Sequence, residues 1–291
     1  ASSTAISEGS IPGPRIIAAG PFVESTGGAD DLSFMPLEWT RKGQSVVLVD
    51  GPAECRRGVR EALRAGADFI KTCNNGGSFL HEHALIDRPE WSTEELATIA
   101  DEAHRKGVRL AVHAHVAPSI KEAILAGADS IEHCTLLDEE CAKLMKERGV
   151  FLDPTFMAVH RMAKLGAELG TPEFAIEQAR ELVAGNYAAF RYAVEAGGEI
   201  ILGTDISGFP AGKLGEHAIE FEHLVEGGLT PMQAIQAGTR NAARACGLAD
   251  SLGTLETGKI ADMVLTAADP LSDVRALQDV RMVVQGGDVV V

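Results

Sequence analysis

Residues 109–133 read RLAVHAHVAPSIKEAILAGADSIEH, and this segment decides the fold. Its apolar runs at 109–113 and 129–133 are typical of short buried strands, and the stretch 119–126 between them has helical spacing of apolar residues. Gly127 suits the left-handed conformation that commonly ends a helix. A strand, a helix and a second strand in this order predict a parallel α/β unit.

The same alternation recurs along most of the chain. Helical patterns begin near 53, 92, 138 and 157, and four more strands are predicted at 15–20, 67–71, 150–155 and 199–204. The stretch 21–50 contains Gly and Pro and is interpreted as a long functional loop. A closed β/α barrel needs eight strands. The six strands counted here therefore predict a TIM-like (β/α)8 barrel that lacks its first two strands.

The pattern changes at Leu252. Short apolar runs separated by tight turns follow as far as Val291, which indicates a small β-rich appendage. We therefore expect an incomplete barrel domain at 1–251 and part of a second, smaller β domain at 252–291.

Four residues with metal-binding chemistry end predicted strands or follow them directly: Lys71, His113, His133 and Asp205. In a parallel barrel all strand C-termini open onto one face, where catalytic groups gather. His113 and His115 form a His-Ala-His pair whose side chains point to the same side of a strand, so either or both can bind metal. Imidazole suits Zn and neighbouring transition metals. The alternatives are histidines of the core, an exposed lysine and a helix-capping aspartate.

Other polar residues are candidates for contact with a substrate. His81 lies on the long polar loop that follows Lys71, and Arg161 and Arg191 are candidate anchors for a substrate carboxylate. His104 and His223 fall within helical patterns and are interpreted as structural or exposed. No Gly-x-Gly-x-x-Gly after a strand, Walker loop or Gly-x-Ser-x-Gly elbow is present.

Composition excludes several classes of partner. The 291 residues carry 26 Lys+Arg and 42 Asp+Glu, a formal charge of −16, which argues against nucleic acid or an anionic membrane as the main partner. The five cysteines are odd in number and have no CxxC spacing, so a reducing cytoplasm fits better than a disulfide framework. No apolar run reaches membrane-spanning length.

The combination of Phe-Ile-Lys71, Val-His113-Ala-His115, Ser-Ile-Glu-His133, Asp-Pro-Thr155 and Gly-Thr-Asp205 resembles the amidohydrolase superfamily. The likeness is greatest to its prolidase-like, imidazolonepropionase-related branch, which includes Xaa-amino-acid dipeptidases and ochratoxin-type amidases. The resemblance implies a barrel that holds two divalent ions, commonly Zn. It implies Lys71 as a bridging carbamate, His113 and His133 as ligands of one ion, Asp205 as ligand and proton acceptor, and His115 facing the substrate.

The chain departs from this pattern in one respect. The superfamily carries a His-x-His on its first strand, and none precedes Lys71 here; the first half of the family's small β-sandwich is also absent. We expect weak metal binding and activity unless a complementing N-terminal segment or a second chain supplies these parts. A homo-oligomer is the other expected assembly.

The expected reaction is hydrolysis of an amide or peptide C–N bond in a dipeptide or an N-acyl amino acid. A metal-bound hydroxide would attack the carbonyl, and Asp205 would relay the proton to the leaving amine. A lactonase or phosphotriesterase, and a deaminase or cyclic-amide hydrolase, are alternatives on the same scaffold. A non-catalytic fragment or subunit that needs another chain is an alternative of a different class.

Overall fold

The computed structural model describes residues 2–31, 36–43, 45–75, 87–206 and 215–291. The chain forms two compact units. The first comprises Ala1–His113 and Glu122–Asp129, and the second comprises Ala114–Lys121 and Ser130–Val291.

The first unit alternates helices with short parallel strands. In chain order its elements are α1 (Ser2–Ser7), β1 (Phe22–Glu24), α2 (Leu37–Lys42), β2 (Val46–Leu48), α3 (Pro52–Arg64), β3 (Ile70–Cys73), α4 (Thr93–Arg105) and the start of β4 (Leu110–Val116). Strands β1 and β2 pair in parallel, with Val23 opposite Val47. Strands β3 and β4 also pair in parallel, and Cys73 lies opposite His113. Helices between parallel strands confirm the predicted α/β class.

The second unit continues this alternation. Its elements after α5 (Ala117–Ala126) are β5 (Ser130–Leu136), α6 (Glu139–Arg148), β6 (Phe151–Asp153), α7 (Phe156–Leu165), α8 (Glu173–Glu195), β7 (Glu199–Ile200), α9 (Ile219–Glu226), α10 (Pro231–Gln236) and α11 (Ala242–Ala245). Strands β5, β6 and β7 pair in parallel. The main sheet has the strand order β3-β4-β5-β6-β7. Successive strands are therefore neighbours, as helical crossovers produce.

Helix termini follow the signals in the sequence. Ser92 and Glu95 form a capping box at the start of α4, in which each side chain accepts a hydrogen bond from the other residue's backbone N–H. The Asp138 side chain accepts a hydrogen bond from the backbone N–H of Cys141 at the start of α6. Gly149 ends α6 in the left-handed conformation, with a φ of 68°.

The predictions for the first fifty residues are partly wrong. Residues 12–20 form no strand, although a strand was predicted at 15–20. The exposed fractions of Ile16 and Ile17 are 38% and 36%, so this apolar run is not a core strand. Backbone and side-chain hydrogen bonds between Ala18 and Asp68 hold the segment instead. The stretch predicted as a loop at 21–50 contains β1, α2 and β2.

Strand number and length also differ from the prediction. Seven short strands, β1 to β7, pair in parallel within the described residues, so the count of six was one too low. Strands β3, β4 and β5 extend to Cys73, Val116 and Leu136, so Lys71, His113 and His133 lie inside their strands and not at the predicted ends. Strand β7 ends at Ile200 instead of 204. The polar Thr72 is fully buried inside β3, and the apolar Ile201 follows β7 without belonging to it, so the apolar pattern misplaced the ends of β3 and β7.

The C-terminal part forms a separate antiparallel sheet. Strands β8 (Met263–Thr266), β9 (Val280–Gln285) and β10 (Asp288–Val289) lie in the order β10-β9-β8. This sheet agrees in type with the predicted β-rich appendage, and the assignment of 252–291 to a second domain stays a prediction. None of the described helices combines the length and the apolar character that crossing a membrane requires.

Candidate metal centre

Three histidines at adjacent strands form one group. The candidate ligand nitrogens of His113, His115 and His133 all lie within 4.8 Å of one another. The rings of His115 and His133 stack with their centroids 4.9 Å apart and an interplanar angle of 20°. His115 is buried, and the other two are half-buried. The structure therefore brings together both members of the His-Ala-His pair and the histidine of the next strand.

Threonine hydroxyls orient two of these rings. Nδ1 of His115 lies 2.7 Å from Oγ1 of Thr135, and Nδ1 of His133 lies 2.6 Å from Oγ1 of Thr155. Metal-binding histidines commonly use one ring nitrogen in this way, which fixes the tautomer and the orientation of the ring. Nε2 is then the candidate ligand atom of each ring.

The backbone is strained inside β5 and in the segments that follow β6 and β7. Among the described residues other than glycine, those with positive φ are His133 (74°), Cys134 (47°), Thr155 (43°) and Asp205 (48°). An L-residue adopts this conformation at a cost, and β-branched threonine does so rarely. Such strain persists where the surrounding structure enforces it and concentrates at functional sites. Two of the four, His133 and Asp205, are predicted site residues.

The last residue of β6 carries a buried carboxylate. Asp153 of β6 is opposite Glu132 of β5 in register. Burial raises the pKa of Asp153 well above its ordinary value, and the charges of Glu132 and Glu220 raise it further. A Cβ at Gly203 would lie 2.0 Å from Oδ2 of Asp153, so glycine is required where the chain passes this carboxylate on its way to Asp205.

Lys71 and Asp205 are placed differently from the histidines. Lys71 is half-buried and lies opposite Ala111, so alternation along β4 puts His113 on the same face of the sheet as Lys71. The Asp205 side chain is exposed and follows the irregular stretch after β7. The geometry thus supports a common face for Lys71 and His113. The position of Asp205 as a ligand stays a prediction.

The predicted substrate contacts have separate environments. Arg161 of α7 forms an ion pair with Glu216, so its charge is already balanced. Arg191 is exposed on α8. His81 lies outside the described residues. All three stay predicted substrate contacts.

Sequence reasoning missed the partners that orient the histidines. Thr135 and Thr155 are 3% and 4% exposed, and both touch a histidine of the group. Thr155 belongs to the Asp-Pro-Thr motif, which offered a weak signal. Thr135 carries none, because a threonine in a strand is ordinarily a packing residue.

The residues present fit a divalent metal. Three imidazoles converge, and two have their second nitrogen engaged by a hydroxyl. A set of nitrogen donors suits Zn and neighbouring transition metals better than Mg or Ca, which prefer oxygen.

Comparison with known proteins gives a consistent result. A family model described as "Amidohydrolase family" matches residues 4–290. Ochratoxinase of Aspergillus niger is 33% identical over 298 residues, covering 96% of this chain and 60% of that protein. The chain therefore spans less than two thirds of the length of this relative.

Solved structures add to the likeness. A Xaa-Pro dipeptidase with bound methionine in its active site is 32% identical, with a TM-score of 0.88, covering 99% of this chain and 71% of its own. A prolidase complexed with N-methylphosphonate-L-proline is 30% identical, with a TM-score of 0.89, covering 99% of this chain and 72% of its own.

Proposed function

The chain belongs to the amidohydrolase family, and we propose that it carries the metal centre of an enzyme that hydrolyses the C–N bond of a small amide. The observation that supports this most is the group of three histidines with threonine-held rings. Family membership also gives the α/β fold its type, the TIM-like barrel.

Each residue of the centre has a proposed role. His113 and His133 would hold the metal, and Lys71, as a carbamate, would add a ligand from the face that it shares with His113. The proposed intact site holds two Zn ions. When bound, such ions would polarise the substrate carbonyl and lower the pKa of water. Thr135 and Thr155 keep the imidazoles in place. Asp205, on an exposed and strained turn, accepts the proton from the attacking water and passes it to the leaving nitrogen.

The proposed substrates are dipeptides and N-acyl amino acids. Support comes from the relatives: one is a Xaa-Pro dipeptidase, another a prolidase and a third an ochratoxinase. His115, Arg161, Arg191 and His81 are the proposed substrate contacts. Arg161 would reach a substrate carboxylate only by sharing its charge with Glu216. The cytoplasm is the proposed location, because the five cysteines are odd in number and have no CxxC spacing.

A substrate panel tests this proposal. The purified protein, loaded with Zn²⁺ and with its metal content measured, is assayed on dipeptides, N-acyl amino acids, a lactone and a phosphotriester. We expect the amides to be turned over at least tenfold faster than the other classes. Asp205→Asn should lower kcat by about 10²- to 10⁴-fold, because it removes the proton acceptor, with little change in KM. Turnover confined to the lactone or the phosphotriester, or an unchanged kcat in Asp205→Asn, would contradict it.

A further inference from the structure

A second group of candidate ligands lies in the first unit. Ligand atoms of Glu24, Asp30 and Cys73 all lie within 4.8 Å of one another. The Cys73 thiol donates a hydrogen bond to Oδ2 of Asp30 at 3.1 Å. Glu24 ends β1, Asp30 follows it in the next turn, and Cys73 ends β3. None of these residues belongs to the histidine group described above.

The group concentrates negative charge in a buried place. Glu24 is 0% exposed and Cys73 is 3% exposed, while Asp30 is half-buried. Glu90 adds a further carboxylate, which accepts hydrogen bonds from the Ser25 hydroxyl at 2.7 Å and the Ala29 backbone at 3.0 Å. Burying several acidic groups together is costly unless protons or a cation balance them.

Glu24 itself points to a ligand. Its Oε1 atom accepts a hydrogen bond of 3.3 Å from the Ser25 backbone, whereas the fully buried Oε2 receives no hydrogen bond from a donor group in the described part of the chain. Buried polar atoms are nearly always satisfied, so an unsatisfied one indicates a missing partner. Burial raises the pKa of Glu24 well above its ordinary value, and the charge of Glu90, a hydrogen bond between these two carboxyl groups and the charge of Asp30 raise it further, whereas the Cys73 contact lowers it. A cation bound here would remove the repulsion between the acidic groups.

We propose that Glu24, Asp30 and Cys73 form a second binding site for a divalent cation of the Zn²⁺ class. The separation of 3.1 Å between the Cys73 sulfur and the Asp30 oxygen is close to the roughly 3.5 Å that a thiolate and a carboxylate keep around tetrahedral Zn²⁺. The thiol loses its proton to solvent on binding, as metal ligation requires. Thiolate together with carboxylate favours Zn²⁺ or Cd²⁺ over Mg²⁺ and Ca²⁺, which take oxygen ligands.

Cadmium titration tests this site separately from the histidine centre. Metal-free protein is titrated with Cd²⁺ while the ultraviolet charge-transfer band of a cadmium thiolate is recorded. We expect one Cd²⁺ to give this band, and we expect Cys73→Ser to abolish it. Cys246→Ser, which removes the exposed cysteine, and His133→Ala, which damages the histidine centre, should both retain the band.

Two further variants keep the thiol and test the carboxylates. Glu24→Gln and Asp30→Asn preserve side-chain size, and each should weaken Cd²⁺ binding at least tenfold. They decide the matter if circular dichroism shows that Cys73→Ser does not fold. Absence of the band in the folded protein, its persistence in Cys73→Ser, or unchanged affinity in both carboxylate variants would overturn the proposal. Absence of the band, or unchanged affinity in both carboxylate variants, would mean that protons shared among the carboxyl groups balance the charge. Persistence of the band in Cys73→Ser would mean that another cysteine binds the Cd²⁺.

Discussion

Two regions of the second unit each hold a pair of neighbouring imidazoles. The two pairs have similar ring separations but differ in ring orientation and in hydrogen-bond partners. The ring centroids of His115 and His133 are 4.9 Å apart on strands, and those of His160 and His223 are 4.6 Å apart on helices. The strand pair stacks at 20° and is held by threonine hydroxyls. The helix pair is tilted at 49°.

The helix pair is part of an aromatic core. His223 is hydrogen-bonded to the Tyr187 hydroxyl at 2.6 Å, and His160 to the Asn186 amide at 3.1 Å. Phe156 packs edge-on against His160 and lies near His223. Burial, together with the charge of His160, lowers the pKa of His223 to about 4. Proximity of imidazoles therefore does not by itself define a metal centre, because packing produces the same separation.

Removing the centre of the aromatic core should have the largest effect on stability. Phe156 is 1% exposed, and Phe156→Ala should lower the free energy of unfolding by about 3–5 kcal/mol because it leaves a cavity. Denaturant unfolding measures this loss, with Phe156→Leu as a milder control. Zinc content of the folded variant should be unchanged. Loss of zinc from Phe156→Ala with unchanged stability would contradict the assignment of this region as a packing core and of the histidine group as the metal centre.

The pH dependence of stability should separate the two regions next. A neutral His223 is favoured in the folded state, so the unfolded state binds more protons between pH 4 and 6.5. This residue's contribution is therefore complete above pH 6.5 and lost as pH falls toward 4, up to about 3 kcal/mol. The difference in unfolding free energy between the protein and His223→Gln should follow this window. Taking the difference removes the contribution of Glu220, whose pKa burial raises to about 8. The contribution of Glu220 to stability falls as pH rises, whereas that of His223 increases.

If the difference in unfolding free energy between the protein and His223→Gln does not change between pH 4 and 6.5, burial does not hold His223 neutral.

The smallest of these effects concerns the threonine that orients His133. Thr155→Val removes the hydroxyl and keeps the shape, so Zn²⁺ affinity should fall about 10- to 100-fold. Thr155→Ser retains the hydroxyl and is the matched control. Competition with a chelator measures the affinity. Equal affinities of the valine and serine variants would show that this contact is only structural.

Local signals in the sequence predicted much of the fold. The capping residues Ser92 and Asp138 and the stop at Gly149 are local, so they could be identified without a structure. Strand β1 could not, because its last residue is the charged Glu24, which is fully buried. The exposed Ile16 and Ile17 offered a more apolar segment nearby, and apolarity alone does not report burial.

The candidate site was predictable to a similar extent. The sequence predicted that His113, His115 and His133 converge, and they do, although they lie inside β4 and β5 and not at the strand ends that were predicted. Hydroxyl partners from other strands were not predictable, since they depend on register and on the positive φ of Thr155. The Glu24, Asp30 and Cys73 group was missed for the same reason: its members come from separate elements.

The central claim is that the histidine group binds a divalent ion through its imidazoles. X-ray absorption of the zinc-loaded protein, recorded together with zinc per chain, tests it most directly. We predict imidazole scattering in the protein and in His217→Ala, which changes an exposed histidine. In His133→Ala we predict weaker imidazole scattering and at least about a 100-fold fall in zinc affinity at that site. Unchanged imidazole scattering and zinc affinity in folded His133→Ala would contradict the account.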